Sequence, residues 1–305
     1  MKEFDVLVAG EINPDLILSG NVEPRFGQAE KIIESAELTI GSSSVIFACG
    51  AARLGLRVAF IGKCGKDIFG DFMLEEMKAH NINVENVIVD KKGQTGLSVI
   101  LNRGQDRAIL TQPGLISSLS ANEIPDALLE KCRHLHVAAY FLQTALQPGL
   151  SRLFSKAHSL GLTTSLDTNY DPTEKWAGLD ELLNVTDIFL PNEAEACSIT
   201  ALRNVREAGD KIARLAKIVA IKRGAEGAIA ICAGEVSKLP SQPVQVIDTV
   251  GAGDSFDAGF VFGYLQGWPL KKTLKAAIFC GSASTCGVGG TSTQASLAEV
   301  MRELS

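Results

Sequence analysis

Residues 244–260 read VQVIDTVGAGDSFDAGF. The β-branched run 244–247 predicts a strand, and the apolar residues from Phe256 onward predict a helix after a Gly-Ala-Gly turn. Glycines let backbone N–H groups approach an anion closely, and the N-terminus of a helix favours negative charge. We therefore expect Gly251, Ala252 and Gly253 to bind a phosphate between a strand and a helix.

Asp254 lies at the start of the same predicted helix, beside the expected phosphate. A carboxylate in that position suits a general base that takes a proton from a hydroxyl while the turn holds the transferring phosphoryl group. The alternative is an Asp that caps a helix after a glycine turn. Two other phosphate motifs fit less well: the chain has no G-x-x-x-x-G-K-[ST], and Phe256 stands where a dinucleotide fingerprint needs its third glycine.

The rest of the chain alternates short apolar runs with longer amphipathic stretches. This alternation predicts an α/β fold with a mostly parallel central sheet covered by helices on both faces. In such sheets ligands bind beyond the carboxyl ends of the strands, so the polar residues at those ends are the candidates for a site. The predicted strands are residues 4–10, 58–62, 134–138, 163–167, 187–190 and 218–221, and the strand-end candidates are Asn13, Asp15, Asp167, Asn192, Gly224 and Asp254.

Two segments, residues 16–40 and 95–111, do not fit the alternation and look like hairpin strands. The polar run Asn102-Arg103-Gly104-Gln105-Asp106 is typical of a turn. We expect a small β-sheet lid that stands off the main domain, although the segments could instead extend the edge of the main sheet. Exposed lid strands would also allow pairing into a homodimer.

Composition limits the class of protein. The 305 residues are 46 % hydrophobic and 21 % charged with a net charge of −6, which excludes disorder over most of the length and argues against a nucleic-acid partner. No apolar run is long enough for a transmembrane helix, and the N-terminus does not resemble a secretory signal. Seven scattered cysteines without a Cys-x-x-Cys pair indicate reduced thiols. These features predict one cytoplasmic domain over residues 1–305 with no membrane partner.

The chain resembles the ribokinase-like carbohydrate kinases, also called the phosphofructokinase-B family, over nearly its whole length. The resemblance implies a ribokinase-like three-layer α/β/α sandwich, ATP as phosphoryl donor and a sugar hydroxyl as acceptor. It is carried by DTVGAGDSFDAGF (248–260), GEINPD (10–15), AARLG (51–55) with Gly62, Gly65, Asp67 and Gly70, PNEAE (191–195), and KRGAEG (222–227).

Roles for further residues follow from this resemblance. The acceptor pocket would contain Asn13, Asp15, Gly41 and Ser42 together with Asp254, and the nucleotide would contact Asn192, Lys222, Gly224 and Gly227 as well as Gly251 and Gly253. Asn192 and Glu195 would hold Mg²⁺ through water, and a monovalent cation such as K⁺ would lie near Asp248, Val250, Ser284, Gly287, Gly289 and Thr293. The residues alone leave alternatives open: Asn192 and Glu195 also suit a helix N-cap, Lys222 also suits a side chain that extends along the end of its strand, and Asp248 also suits hydrogen bonds to the amides of the Gly-Ala-Gly turn.

One segment departs from the family pattern, which has Gly-Gly and then Asn four positions later. Here the run is Gly41-Ser42-Ser43-Ser44-Val45-Ile46, so Ser42 replaces the second glycine and Ile46 replaces the asparagine. The serines suit either acceptor hydroxyls or a helix cap. The arginines of the expected lid suit either contact with an anionic acceptor or exposure to solvent at the edge of the sheet; they are Arg25, Arg103 and Arg107. We expect an acceptor other than ribose, with a nucleoside kinase and a catalytically silent sugar-binding regulator as alternatives.

Overall fold

The computed structural model describes residues 2–103 and 106–305. Gly104 and Gln105, predicted as part of a hairpin turn, lie outside the described residues. Within these ranges no helix combines the length and the apolar character that crossing a membrane requires.

The strands are short. In chain order they are β1 Phe4–Ala9, β2 Pro14–Ser19, β3 Ser35–Ile40, β4 Val58–Ile61, β5 Lys63–Gly65, β6 Ile82–Asn83, β7 Ile88–Asp90, β8 Leu97–Arg103, β9 Asp106–Gln112, β10 Cys132–Val137, β11 Thr163–Leu166, β12 Ile188–Phe189, β13 Ile218–Lys222, β14 Ala228–Cys232 and β15 Glu235–Leu239.

The helices mostly follow the strands one by one, as the alternation predicted. They are α1 Ser43–Arg53, α2 Ile68–Ala79, α3 Asp126–Leu129, α4 Gln147–Ser159, α5 Asp180–Leu183, α6 Glu193–Thr200, α7 Val205–Ile212, α8 Ala252–Leu265, α9 Leu270–Ser284 and α10 Leu297–Leu304.

The main sheet has nine strands in the order β15-β14-β13-β12-β11-β10-β1-β4-β6. Neighbouring strands from β13 to β6 pair in parallel, and only the β13–β14 and β14–β15 pairs at one edge are antiparallel. The prediction of a mostly parallel sheet is therefore confirmed.

Two hydrophobic cores lie on the two faces of this sheet. Side chains of a strand point alternately to opposite faces, so Val6 and Val8 of β1 pack into one core and Leu7 and Ala9 into the other. The first core is closed by α1, α2, α8 and α9, and the second by α4 and α7. The resulting three-layer α/β/α arrangement is the predicted one.

The hairpin segments form a second, separate sheet in the order β3-β2-β8-β9. Strands β2 and β3 pair antiparallel, as do β8 and β9, while β2 and β8 run parallel and join the two hairpins. They do not extend the edge of the main sheet, so the small-sheet prediction is confirmed. Whether this sheet acts as a lid is a separate prediction.

One predicted strand is wrong. Residues 244–247 form no strand and run as an irregular segment before the glycine turn. The β-branched side chains instead meet a cavity, which Val244 and Val246 line, and Val246 and Ile247 remain 57 % and 58 % exposed. A β-branched sequence favours extended backbone, but a strand also needs a neighbouring strand as hydrogen-bond partner.

Candidate active site

The glycine turn stands at the N-terminus of α8. Gly251 is the residue before the helix and has a φ of 72°, and a Cβ built on it would lie 2.6 Å from the Cα of Gly290. Only glycine fits this position without strain and without displacing backbone. The first N–H groups of α8 have no partner within the helix itself, so they are donors suited to an anion, and phosphate binding by the turn stays a prediction.

Asp254 lies in the first turn of α8 and is buried. Burial, together with the charge of Asp167, raises the pKa of Asp254 to about 8. A carboxyl with so high a pKa readily accepts a proton near neutral pH.

Three carboxyl groups meet beside this turn. Single oxygens of Asp167, Asp254 and Asp257 lie within 4.8 Å of one another, and all three residues are buried. The Lys222 ammonium neutralises part of this charge, with Nζ 2.7 Å from Asp167 Oδ2 and 3.1 Å from each oxygen of Asp257. Burial opposes the charge of Lys222, but the charges of Asp167 and Asp257 outweigh burial and raise its pKa. Like charges this close favour protonation of one member.

Asp257 is a site residue for which the sequence analysis assigned no role. It follows Asp254 by three positions, so both carboxyls project from one face of α8. That spacing was the available signal. Burial raises the pKa of Asp257, whereas the Lys222 pair keeps the pKa of Asp167 low.

The predicted acceptor residues lie together at the start of β2. Asn13 Nδ2 is 3.4 Å from Asp15 Oδ1 and 3.4 Å from Ser98 Oγ, and a Cβ on Gly41 would lie 2.2 Å from Asp15 Oδ1. Gly41 is therefore required for close packing. Burial raises the pKa of Asp15 to about 7, against a lowering by the charge of Arg107.

Ser42 caps helix α1, which is one of the two roles the sequence left open. Its Oγ accepts from the Val45 N–H at 3.1 Å and donates to the carbonyl of Glu11 at 2.7 Å. Glu11 had no predicted role, although it is buried and its carboxylate also accepts from the N–H of Ser44. Ile46 lies against the glycine turn, since its Cγ2 would be 2.9 Å from a Cβ on Gly251.

Asn192 and Glu195 form a capping box at the start of α6. The Glu195 carboxylate accepts from the backbone N–H of Asn192 at 2.9 Å, and Asn192 Oδ1 accepts from the N–H of Glu195 at 2.9 Å. Burial, with the charge of Asp167, raises the pKa of Glu195 to about 7. The N-cap alternative is thus present in the structure. The charges of Asp167 and Lys222 also act on the pKa of the Glu195 carboxyl, Asp167 raising it and Lys222 lowering it.

A cavity of about 510 Å³ opens beside the glycine turn. This volume falls in the range of small-molecule sites. Four of the predicted nucleotide residues lie on its wall, whereas Asn192 and Gly251 are not among the lining residues. The lining includes Lys222, Gly224, Gly227, Val244, Val246, Thr249, Ala252, Gly253, Phe256, Ser282 and Thr285.

The positions predicted for a monovalent cation fall into two groups. Asp248 accepts from the N–H groups of Val250 at 3.0 Å and Gly289 at 2.9 Å, rather than from the Gly-Ala-Gly amides. The carbonyl of Ser284 accepts from Thr293 Oγ1 at 3.0 Å. Gly287 packs against Thr293, whose Cγ2 would lie 2.6 Å from a Cβ there. These contacts bring the predicted residues into two groups, and whether those groups hold a cation remains a prediction.

Comparison with known proteins assigns the family. The pfkB family of carbohydrate kinases matches residues 6–296. The chain belongs to this family. It is therefore a carbohydrate kinase, a phosphotransferase with an alcohol group as acceptor, as the resemblance implied.

Individual relatives agree with this assignment. The 5-dehydro-2-deoxygluconokinase of Geobacillus thermodenitrificans is 29 % identical over 77 % of this chain and 75 % of the relative. The ATP-dependent ribose-1-phosphate kinase of Halopiger xanaduensis is 27 % identical over 93 % of both chains. A candidate ribokinase II from E. coli, solved with ATP and Mg²⁺, has the same fold, with a TM-score of 0.87 over 99 % of both chains at 23 % identity. The nucleoside-kinase and silent-regulator alternatives are not favoured.

Proposed function

We propose that this carbohydrate kinase uses ATP and Mg²⁺ to phosphorylate a small sugar that carries a negative charge, with Asp254 as the general base. The observation that carries the proposal is the buried Asp254 carboxyl, which directly follows the glycine turn at the edge of the large cavity. An acceptor hydroxyl gives its proton to Asp254, its oxygen bonds to the γ-phosphorus of ATP, and the bond to the β-γ bridging oxygen breaks to release ADP.

The cavity is the proposed place of ATP. Two of its lining glycines, Gly224 and Gly227, have φ values of 53° and 85°; a Cβ on Gly224 would meet open space, whereas one on Gly227 would lie 2.0 Å from the carbonyl oxygen of Leu239. The wall of the cavity also includes Gly253 and Lys222, so the phosphates would point to the amides of the glycine turn. Those amides would stabilise charge on the transferring phosphoryl group.

The carboxyl groups around Lys222 fit a bound Mg²⁺. Four buried carboxyl groups outnumber the Lys222 ammonium in this cluster, and they belong to Asp167, Asp254, Asp257 and Glu195. Mg²⁺ prefers oxygen ligands and retains several of its waters. Asn192 and Glu195 would hold the ion by way of water, since both carboxylate oxygens of Glu195 keep lone pairs beyond their bonds to Asn192. When bound, Mg²⁺ neutralises charge on the phosphates.

A monovalent cation is proposed at the groups formed by Asp248, Val250 and Gly289 and by Ser284 and Gly287. Carboxylate and carbonyl oxygens are suitable ligands for K⁺, and Asp248 fixes the loop of Gly289 next to the glycine turn. We expect activity to rise when K⁺ replaces tetramethylammonium at constant ionic strength. Equal activity in the two salts would contradict this part of the proposal.

Arg107 supports an anionic acceptor. It lies on β9, its Nη1 is 3.5 Å from Thr249 Oγ1 next to the glycine turn, and its charge acts on Asp15. A guanidinium in this place suits a carboxylate or phosphate on the acceptor. The names of two relatives support the same class, since one is a 5-dehydro-2-deoxygluconokinase and the other a ribose-1-phosphate kinase.

The small sheet is proposed as a lid and as a dimer contact. Leu38 on β3 and Ile109 and Leu110 on β9 are 43 %, 52 % and 61 % exposed, which leaves apolar side chains for a second copy to cover. We further propose a cytoplasmic location, where the free cysteines of the described residues would stay reduced.

A substrate screen with one variant tests the proposal. ADP release is measured with ATP and a panel of sugar acids, sugar phosphates, neutral sugars and nucleosides. We expect turnover with an anionic sugar, and we expect Asp254→Asn to abolish it while ATP still binds in calorimetry. Asp210→Asn, which changes an exposed ion pair with Arg206, is the matched control and should keep full activity. Turnover like the wild type in Asp254→Asn would refute the assignment of the base.

A further inference from the structure

Two crossings of the chain between the main sheet and the small sheet lie beside the candidate acceptor pocket. One crossing is residues 10–13, between β1 and β2, and the other is Gly41 with Ser42, between β3 and α1. A Cβ on Gly41 would lie 2.8 Å from the carbonyl oxygen of Asn13, so the two crossings are in contact. Asn13 and Gly41 are both predicted acceptor residues. The way in which the crossings are held together therefore sets the geometry of the acceptor pocket.

Ser42 has a backbone conformation that is unusual for a residue with a side chain. Its φ is 66° and its ψ is 119°. The left-handed region that residues other than glycine tolerate has a ψ of about 30–60°. The family pattern has glycine at this position, so the strain arises here from the serine side chain. Strained residues persist only where the surrounding structure holds them, and such residues cluster at functional sites.

The carboxyl of Glu11 on the first crossing holds Ser42 on the second. Glu11 is 3 % exposed, and its Oε1 accepts from Ser42 Oγ at 2.9 Å and from the Ser44 N–H at 3.0 Å. Its Oε2 accepts from the hydroxyl of Ser44. Ser42 Oγ is also 2.7 Å from the carbonyl oxygen of Glu11, so its one proton is shared between two oxygens of the same residue.

The packing around this contact joins the crossings at a second point. A Cβ on Gly10 would lie 2.0 Å from Ser44 Oγ, so the first crossing passes directly against the start of α1. Ser42 Oγ also accepts from the Val45 N–H, which fixes the direction of its hydroxyl. Glu11 thus binds both Ser42 and Ser44, on either side of the start of the helix.

Capping of α1 does not account for Glu11. The cap needs only the oxygen of Ser42, and glycine would serve at an N-cap nearly as well without the strain. A carboxyl is costly to bury unless it is hydrogen-bonded. Both costs, a strained serine and a buried carboxyl, are met in one contact that joins the two crossings.

We propose that Glu11 is a positioning residue for the sugar acceptor: by binding Ser42 and Ser44 it holds the two crossings together and keeps the acceptor pocket preformed. The proposal rests on the proposed function, in which the acceptor binds at these crossings. A preformed pocket binds more tightly because a larger fraction of the protein is competent to bind. Saturating acceptor restores that fraction, so the contact acts on KM for the acceptor and not on kcat.

Steady-state kinetics test the proposal with the sugar acid or sugar phosphate that gives the highest turnover in the substrate screen. Glu11→Leu removes the carboxyl, and Ser42→Gly removes the hydroxyl and relieves the strain. Loss of such hydrogen bonds changes an equilibrium about tenfold, so each variant should raise KM for the acceptor about tenfold. We expect kcat and KM for ATP to stay within about twofold of the wild type.

Two further variants test whether Glu11 and Ser42 act together. Glu11→Gln keeps the shape and one oxygen acceptor, so its KM for the acceptor should stay within about threefold of the wild type. Adding Ser42→Gly to Glu11→Leu should raise KM no further, because the contact is already absent.

A second Ser–Glu pair provides the matched control. At the start of α10 the Glu299 carboxyl accepts from the N–H and the hydroxyl of Ser296, at 2.7 Å and 2.6 Å. Glu299→Leu and Ser296→Gly remove the same kind of contact outside both crossings. Neither should change KM for the acceptor or for ATP.

The outcomes separate this proposal from the proposed function. A wild-type acceptor KM in Glu11→Leu and Ser42→Gly, with a raised one in Asp15→Asn, would overturn the role of Glu11 and leave the acceptor pocket intact. A wild-type KM in Asp15→Asn would overturn the pocket, and the proposal with it. A double variant whose two effects multiply, or an equal rise in the control pair, would also overturn the proposal. Thermal melts identify a variant that has not folded, and Ser42→Gly, whose backbone suits glycine, then decides.

Discussion

Replacing Lys222 with Met should reveal how the carboxyl cluster is held together. Lys222 is the buried partner of both Asp167 and Asp257, at 2.7 Å and 3.1 Å. Removing one partner from a buried ion pair typically costs about 3–5 kcal/mol of unfolding free energy. For a protein of this size we expect a fall in Tm of roughly 10 °C.

The pH dependence of this loss has a definite sign. In the wild type, folding lowers the pKa of Asp167. Its contribution to the free energy of unfolding is therefore complete above the pKa that it has in the unfolded chain, and is lost as pH falls through its pKa in the folded protein. Without Lys222, Asp167 should join Asp254 and Asp257 in having a raised pKa. A carboxyl whose pKa is raised by folding contributes its full stability below the pKa that it has in the unfolded chain. It loses that contribution as pH rises through its pKa in the folded protein. The gap between variant and wild type should therefore widen from pH 5 to pH 8.

Urea unfolding at several pH values measures this gap. Lys238→Met on the exposed side of β15 is the matched control and should change stability little at any pH. Adding Asp257→Asn to Lys222→Met removes one excess carboxyl and should recover part of the loss at pH 8. A gap below about 1 kcal/mol, the size typical of exposed pairs, or one that does not change with pH, would refute the reasoning.

Two further predictions concern the turn and the acceptor. Gly251→Ala places a methyl group on left-handed backbone, at a strain of about 1–2 kcal/mol, and brings it 2.6 Å from Gly290 Cα. We expect kcat, measured as the rate of ADP release, to fall at least about tenfold. Gly161→Ala, also left-handed at a φ of 78° but in open space, should lose stability and keep kcat; equal kcat in both variants would contradict the role of the turn. Arg107→Met should raise KM for an anionic acceptor about tenfold and leave KM for a neutral one unchanged, whereas Arg152→Met on α4 should change neither. A parallel rise in both KM values would argue against charge recognition.

Much of the fold was predictable because local pattern and burial agree. The run at residues 4–10 predicted β1, and parallel strands on both sides, with helices over both faces, explain why Val6 to Ala9 are all apolar. Residues 244–247 have the same β-branched character but meet a cavity, and no local signal distinguishes a neighbouring strand from open space.

The site was predictable where its chemistry is contiguous in sequence, as in the turn that leads to Asp254. It was not predictable where chemistry depends on distant partners. The sequence left two roles open for Lys222: contact with a phosphate, or a side chain that lies along the end of its strand. The structure pairs it with carboxylates 55 and 35 residues away, while it also lines the cavity.

The order of these partners along the chain bears on how the protein is made. Asp167 leaves the ribosome first, Lys222 follows on β13, and the acids of α8 come last. Because synthesis proceeds from the N-terminus, a counterion can already stand beside Asp167 when the acidic helix arrives. A nascent chain stalled before residue 222 would hold Asp167 without that counterion, whereas one stalled between β13 and α8 would already have the ion pair against which α8 packs.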